Sequence, residues 1–214
     1  MSDHQNIELS TQRIEAFSDG VFAIAITLLI LEIRVPPLHG AGESKSLTSA
    51  LLELWPSYFA YVLSFVMIGI YWANHHYLFR FFNRTDHIFN LLNVFFLMCI
   101  SFLPFPTAVL GEYITDPNNQ RTATTLYALG LLLPAFSWLL VWLYASRHNR
   151  LIDTRLDPSF VKFLTRQFML SNGLYLGAFL ASLLSTGVSL AICVGLTLLY
   201  LLPPKKPIYR ESQL

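Results

Sequence analysis

The chain has 214 residues, of which 54% are hydrophobic and 13% charged, and its mean hydropathy is +0.51. A soluble domain carries about 25% charged residues, so half the usual charge is missing, and repeated long apolar runs argue against a water-soluble helical protein. A net charge of +1 gives no case for a nucleic-acid partner.

Residues 1–10 form a polar N-terminal segment. It lacks the basic region and cleavage site of a signal peptide, so the first helix is expected to remain in the mature protein. That helix is predicted over residues 11–35, with no proline before Pro36. From Arg13 to Val35 it is ~33 Å long, enough to cross a ~30 Å hydrocarbon core. Pro36-Pro37, Gly40 and Gly42 make a loop. A second helix is predicted over 49–82, tolerating Pro56 in its first turns. After the turn Asn83–Asp86, a third runs over 87–110, bent by Pro104 and Pro106. Pro117-Asn118-Asn119 marks a turn, and a fourth helix covers 122–146 with Pro134 inside it.

A polar loop leads to Asp157-Pro158, an N-cap followed by proline at the first helical position. One straight helix over 169–202 would be ~50 Å long, too long for one crossing. Ser185-Thr186-Gly187 is the natural break, giving helices over 158–184 and 188–202 and a tail over 205–214. The predicted fold is therefore an all-α integral membrane protein: one six-helix transmembrane domain over residues 11–204. With the N-terminus inside, eleven of the fourteen Lys and Arg residues fall on the inner side, and Arg34, Lys45 and Arg121 outside. This asymmetry predicts both termini in the cytoplasm and a multi-pass protein of the cell membrane.

The first helix sorts its residues. Arg13, Glu15, Ser18 and Asp19 lie in its first turns, and ionisable groups in a spanning helix must face protein or water. At ~100° per residue, Leu28 lies ~40° from Ile24 and Leu31 ~20° away on the other side, with Thr27 at the edge of this stripe. Ser18 and Asp19 sit ~120° and ~140° from Ile24. If Ile24 faces an axis, Ser18 and Asp19 face neighbouring helices and act as scaffold. On its own, a stripe of Ile and Leu ordinarily means packing or lipid contact.

Arg13-x-x-x-Phe17-Ser18-Asp19 at the start of the first spanning helix, continued by Gly20 to Leu29, resembles the signature of the transmembrane protein 175 family of potassium channels. Trp72-Ala73-Asn74-His75-His76 and Asn93 extend the likeness, and the chain is similar to the short bacterial six-helix form. The resemblance implies a homotetramer with the first helices around a central pore. Ile24 would then make the narrowest ring, Leu28 and Leu31 further pore-facing layers, and the Thr27 hydroxyl part of the path of K+, the permeant ion. Such an apolar ring stops conduction when it narrows and loses its water. The family match also suggests that Ser18 and Asp19 bond to His75 or His76 and Asn93, with Trp72 beside them and Arg13 closing the network. Alternatively, the histidines are solvated and Arg13 snorkels.

Other chemistries lack their residues. There is no Thr-Val-Gly-Tyr-Gly filter segment and no arginine-repeat voltage sensor. The histidines show no HExxH arrangement, and no GxSxG is present, so no enzyme, no cofactor and no structural metal is expected. Cys99 and Cys193 lie in apolar runs and read as small core residues. Glu32, near the outer end of the first helix, either attracts cations at a pore mouth or pairs with Arg34, and the pairing is the reading expected. The rival to a channel is a secondary cation transporter, whose discontinuous helices and internal repeats are not visible here.

Overall fold

The structure, a computed structural model, describes residues 2–36 and 46–209, the first nine of these as backbone alone. The loop expected at Pro37, Gly40 and Gly42, the basic residues Lys45 and Arg210, and the end of the tail lie outside the described residues. The regular elements are helices, joined by turns that hold two isolated bridges, Phe82 with Ile152 and Leu156 with Tyr209.

Helix α1 spans Ser2–Leu28 and tightens into a 3₁₀ turn over Leu29–Glu32. The predicted single helix over 49–82 is two helices, α2 (Leu47–Glu53) and α3 (Trp55–Phe79). Likewise the predicted helix over 87–110 is α4 (His87–Phe102) followed by α5 (Pro104–Tyr113). The reason is the same in both places. Proline has no N–H for the preceding turn and its ring crowds the carbonyl four residues back, so Pro56 and Pro104 start a helix more easily than they continue one. Pro134 behaves otherwise: α6 runs unbroken over Gln120–Ser146. The Ser137 hydroxyl donates to the Pro134 carbonyl at 3.0 Å inside that helix.

Helices α7 (Pro158–Ser182) and α8 (Thr186–Tyr200) complete the chain. Their starts follow local chemistry. Asp157 accepts from the Ser159 N–H at 2.7 Å, with Pro158 in the first turn. Ser185 accepts from the Val188 N–H at 3.4 Å and caps α8 after the turn that separates it from α7. The turn after α6 carries His148 and Asn149 in the left-handed region, with φ of 56° and 52°.

α6 forms the centre of the bundle, packing on α4, α5, α7 and α8. Its Tyr127, Leu131, Val141 and Trp142 are fully buried. Two glycines let neighbours approach closely. A Cβ at Gly130 would stand 2.8 Å from Pro106 Cγ, and one at Gly111 would stand 2.9 Å from the Ser57 Cα. α1 lies at the edge, against α3 and α4 with a lesser contact to α5. Among the described residues four stretches are long and apolar enough to cross a membrane: Thr11–Glu32, Trp55–Phe79, His87–Tyr113 and Gln120–Asn149. α8 is apolar but has only 15 residues. Six crossings were expected. The difference lies in α7 and α8, the first broken up by Lys162, Arg166 and polar side chains, the second short.

Candidate functional site

α1 has two faces. One is packed: Ser18, Phe22, Ala25 and Leu29 recur every three or four residues, with Thr11 two turns earlier, and all are buried. The other is open. Ile24 is 62% exposed and Leu31 68%, while Phe17 and Leu28, which share this side, are also exposed. Thr27 lies at the edge of the open face. Its hydroxyl donates to the carbonyls of Ala23 and Ile24 at 2.8 and 3.0 Å. With the proton held by the helix backbone, the oxygen lone pairs are the part of Thr27 left to meet a ligand.

Behind α1 stands a buried polar chain. The Ser18 hydroxyl donates to the Ile14 carbonyl at 2.8 Å. Its oxygen must therefore accept the 3.1 Å bond from Asn93 Nδ2. That orients the Asn93 amide so that its Oδ1 faces His75 Nε2 at 3.1 Å, and His75 must donate there. The donors thus run one way, from α3 through α4 to α1. Ser18, His75 and Asn93 are each no more than 1% exposed. An apolar aromatic cage holds the imidazole: Phe79 stacks on it at 4.1 Å, Phe96 at 5.9 Å, and Phe22 and Trp138 close the sides at 5.6 and 5.4 Å. Losing any member of this chain leaves a buried group unpaired, at a cost of about 1–3 kcal/mol.

A second polar chain runs along the exposed edge. Asp19 Oδ1 accepts from Trp72 Nε1 at 2.9 Å. Trp72 stacks on His76 at 6.4 Å, and His76 Nε2 lies 3.0 Å from Arg80 Nη2, whose guanidinium is the donor. The sequence left open which histidine turns inward; it is His75, while His76 turns out. Asp19 reaches neither histidine directly, because it stands ~100° around the helix from Ser18 and faces Trp72 instead. Arg13 does not close the network. It is exposed and makes no hydrogen bond or ion pair among the described residues. Helical geometry accounts for this, since Arg13 lies ~20° from Ile24, on the open face. The two ion pairs among the described residues are Asp86 with Arg150 at 3.5 Å and Asp153 with Arg155 at 2.7 Å, so Glu32 is not held by Arg34.

These ion pairs sit in the turns at one end of the bundle. The Arg155 guanidinium holds the Asp153 carboxyl below the usual carboxylate range. At Asp86 burial opposes ionisation, but the Phe89 N–H, the Tyr144 hydroxyl and Arg150 outweigh it, and its carboxyl also lies below that range. The residues sequence reasoning missed are the cage members Phe22, Phe79, Phe96 and Trp138. They sit in apolar runs where an aromatic carries no signal beyond core packing. Among the described residues no three His, Cys, Asp or Glu side chains come together as metal ligands.

The family profile described as "Endosomal/lysosomal potassium channel TMEM175" matches residues 13–104, the stretch that holds both polar chains and the open face of α1. A potassium channel of Chamaesiphon minutus is 45% identical over 192 residues, covering 90% of this chain and 94% of its own. A potassium channel of Streptomyces collinus is 46% identical over 145 residues, 68% of this chain and 69% of that one. The crystal structure of a lysosomal potassium-selective channel TMEM175 homolog from Chamaesiphon minutus superposes with a TM-score of 0.79 at 43% identity, covering 90% of this chain and 96% of that one. With its length matched almost end to end, the chain belongs to the TMEM175 family, a family of ion channels and not of enzymes.

Proposed function

We propose that this protein is a potassium channel of the cell membrane, assembled from four copies with α1 lining a central pore. The observation that carries the reading is the open face of α1. Phe17, Ile24, Leu28 and Leu31 are exposed on a helix whose opposite face is packed on α3 and α4. One helix cannot enclose a conduit, whereas several copies around an axis can. In this reading Ile24 forms the narrowest ring, Leu28 and Leu31 form further layers, and the Thr27 oxygen offers its lone pairs to a partly dehydrated K+. Conduction then depends on whether the apolar rings are wide enough to stay wet.

The Ser18–Asn93–His75 chain fixes the rotation of α1 about its own axis, and so fixes which side chains meet the pore. Asp19, Trp72 and His76 brace the same helix from its edge, while Phe17, expected in this network, lies on the open face with Ile24. α7 and α8 serve as the fifth and sixth crossings, which puts both termini in the cytoplasm. α8 is ~22 Å long, and Leu201 and Leu202 extend its apolar stretch.

The test is flux. Purified protein in liposomes passes K+ faster than Na+ without a coupling ion, and Ile24→Asn raises the flux or weakens the preference for K+. Flux strictly coupled to a proton or sodium gradient identifies a transporter and refutes the channel reading.

A further inference from the structure

The structure holds a second feature, away from α1. A cavity of about 300 Å³ lies between α3, α6, α7 and α8. Most of its wall is apolar, including Ile70, Leu170, Leu174 and Leu199. Its mouth is formed by Pro203, Pro204 and Lys205, where the chain leaves α8. The Lys205 ammonium stands 4.3 Å over the Phe163 ring, and the Tyr77 hydroxyl donates to the Lys205 carbonyl, which pins the segment across the opening. Lys206 follows in sequence, and Lys162 and Arg166 flank the wall residues Phe163 and Gln167 on α7.

Trp138 and Asn172 belong to this wall, although Trp138 Nε1 and Asn172 Oδ1 are themselves enclosed behind it, with no hydrogen-bond partner. Their depth can be read from neighbouring bonds. Trp142 Nε1 donates to Thr165 at 2.9 Å, and Asn172 Nδ2 donates to the Ala135 carbonyl at 3.1 Å. Trp138, between Ala135 and Trp142 on α6, is therefore level with about Phe168 on α7. That is ~7 Å further in than Phe163 and the lysine above it.

We infer that this cavity binds one anionic phospholipid, with its phosphate at Lys205 and an acyl chain along Leu170, Leu174 and Leu199. The chemistry fits layer by layer: cations at the mouth, and apolar wall at and beyond the level of Trp138. Basic pockets between spanning helices suit anionic head groups. The inference does not depend on ion conduction. It does tie the cavity to the scaffold of α1, because Trp138 also walls the cage of His75.

The test uses the purified full-length protein, delipidated and returned to phosphatidylglycerol or phosphatidylcholine, with retained lipid counted by native mass spectrometry. The expected result is about one phosphatidylglycerol per chain, retained at least tenfold over phosphatidylcholine. Lys205→Ala, in an exposed segment, should reduce phosphatidylglycerol retention about fivefold and phosphatidylcholine hardly at all. Leu199→Trp, at a half-exposed wall position, should reduce both. Equal retention of the two lipids by the unmodified protein overturns the inference, as do unchanged variants. Displacement by inorganic phosphate alone overturns it too, since it would mark a simple anion site.

Discussion

α1 and α6 are both helices of 27 residues, and both contain a stretch apolar enough to cross a membrane, yet the protein uses them in opposite ways. In α6 the apolar side chains are enclosed, with 56% of the spanning stretch buried inside the chain; in α1 the figure is 22%. Hydropathy does not distinguish them. The distinction lies in where polar groups fall around each helix. α1 sets Ser18 against Asn93 of α4 and Asp19 against Trp72 of α3. These two anchors hold one side of α1 to the bundle and leave the side of Ile24 turned away. α6 has no such one-sided anchoring, and neighbours surround it.

The contrast can be broken from the α6 side first, where the largest effect is expected. Trp142 is fully buried and its Nε1 donates to Thr165. Trp142→Ala should destabilise the fold by about 3–5 kcal/mol, read as a lowered unfolding midpoint in detergent. A smaller effect is expected at the anchor. Asn93→Leu keeps the number and branching of side-chain heavy atoms but strands the His75 donor and the Ser18 oxygen, costing about 1–3 kcal/mol. Because this change frees α1 to rotate, it should also alter K+ flux more than a core substitution of equal cost, which liposome assays on the two variants can compare.

How much of this was legible beforehand divides along the same line. The open stripe of Ile24, Leu28 and Leu31, and the Ser18–Asn93 direction, follow from helical spacing and the motif. The inward turn of His75 does not, because adjacent residues on a helix differ only by rotation, and three of the four cage residues that select one of them come from other helices, Phe22 from α1, Phe96 from α4 and Trp138 from α6. The breaks at Leu54 and Leu103 were also hidden. Proline signals a disturbance, but Pro134 in α6 shows that the same residue can be absorbed when surrounding helices hold the turn.

The smallest expected effect lies in the turns. The carboxyls of Asp86 and Asp153 are held below their ordinary range, so the folded state favours their ionised forms. Their contribution is present above the ordinary carboxylate value of about 4 and is lost as pH falls through that value toward the lowered ones. Thermal unfolding between pH 7 and pH 3 should show a modest drop confined to the acid end, and Asp153→Asn should flatten part of it.

The most direct test of the outward face is its contact with water in the working assembly. Ile24→Cys and Phe22→Cys place a thiol two residues apart on the open and packed faces of α1, beside the native Cys99 and Cys193, which are buried. A water-soluble, charged thiol reagent should cut K+ flux through the Ile24→Cys protein at least tenfold and leave the Phe22→Cys protein unchanged, with stability of the former within about 0.5 kcal/mol of the parent. If Ile24→Cys resists the aqueous reagent and reacts only with one dissolved in the bilayer, α1 faces lipid and does not line the pore.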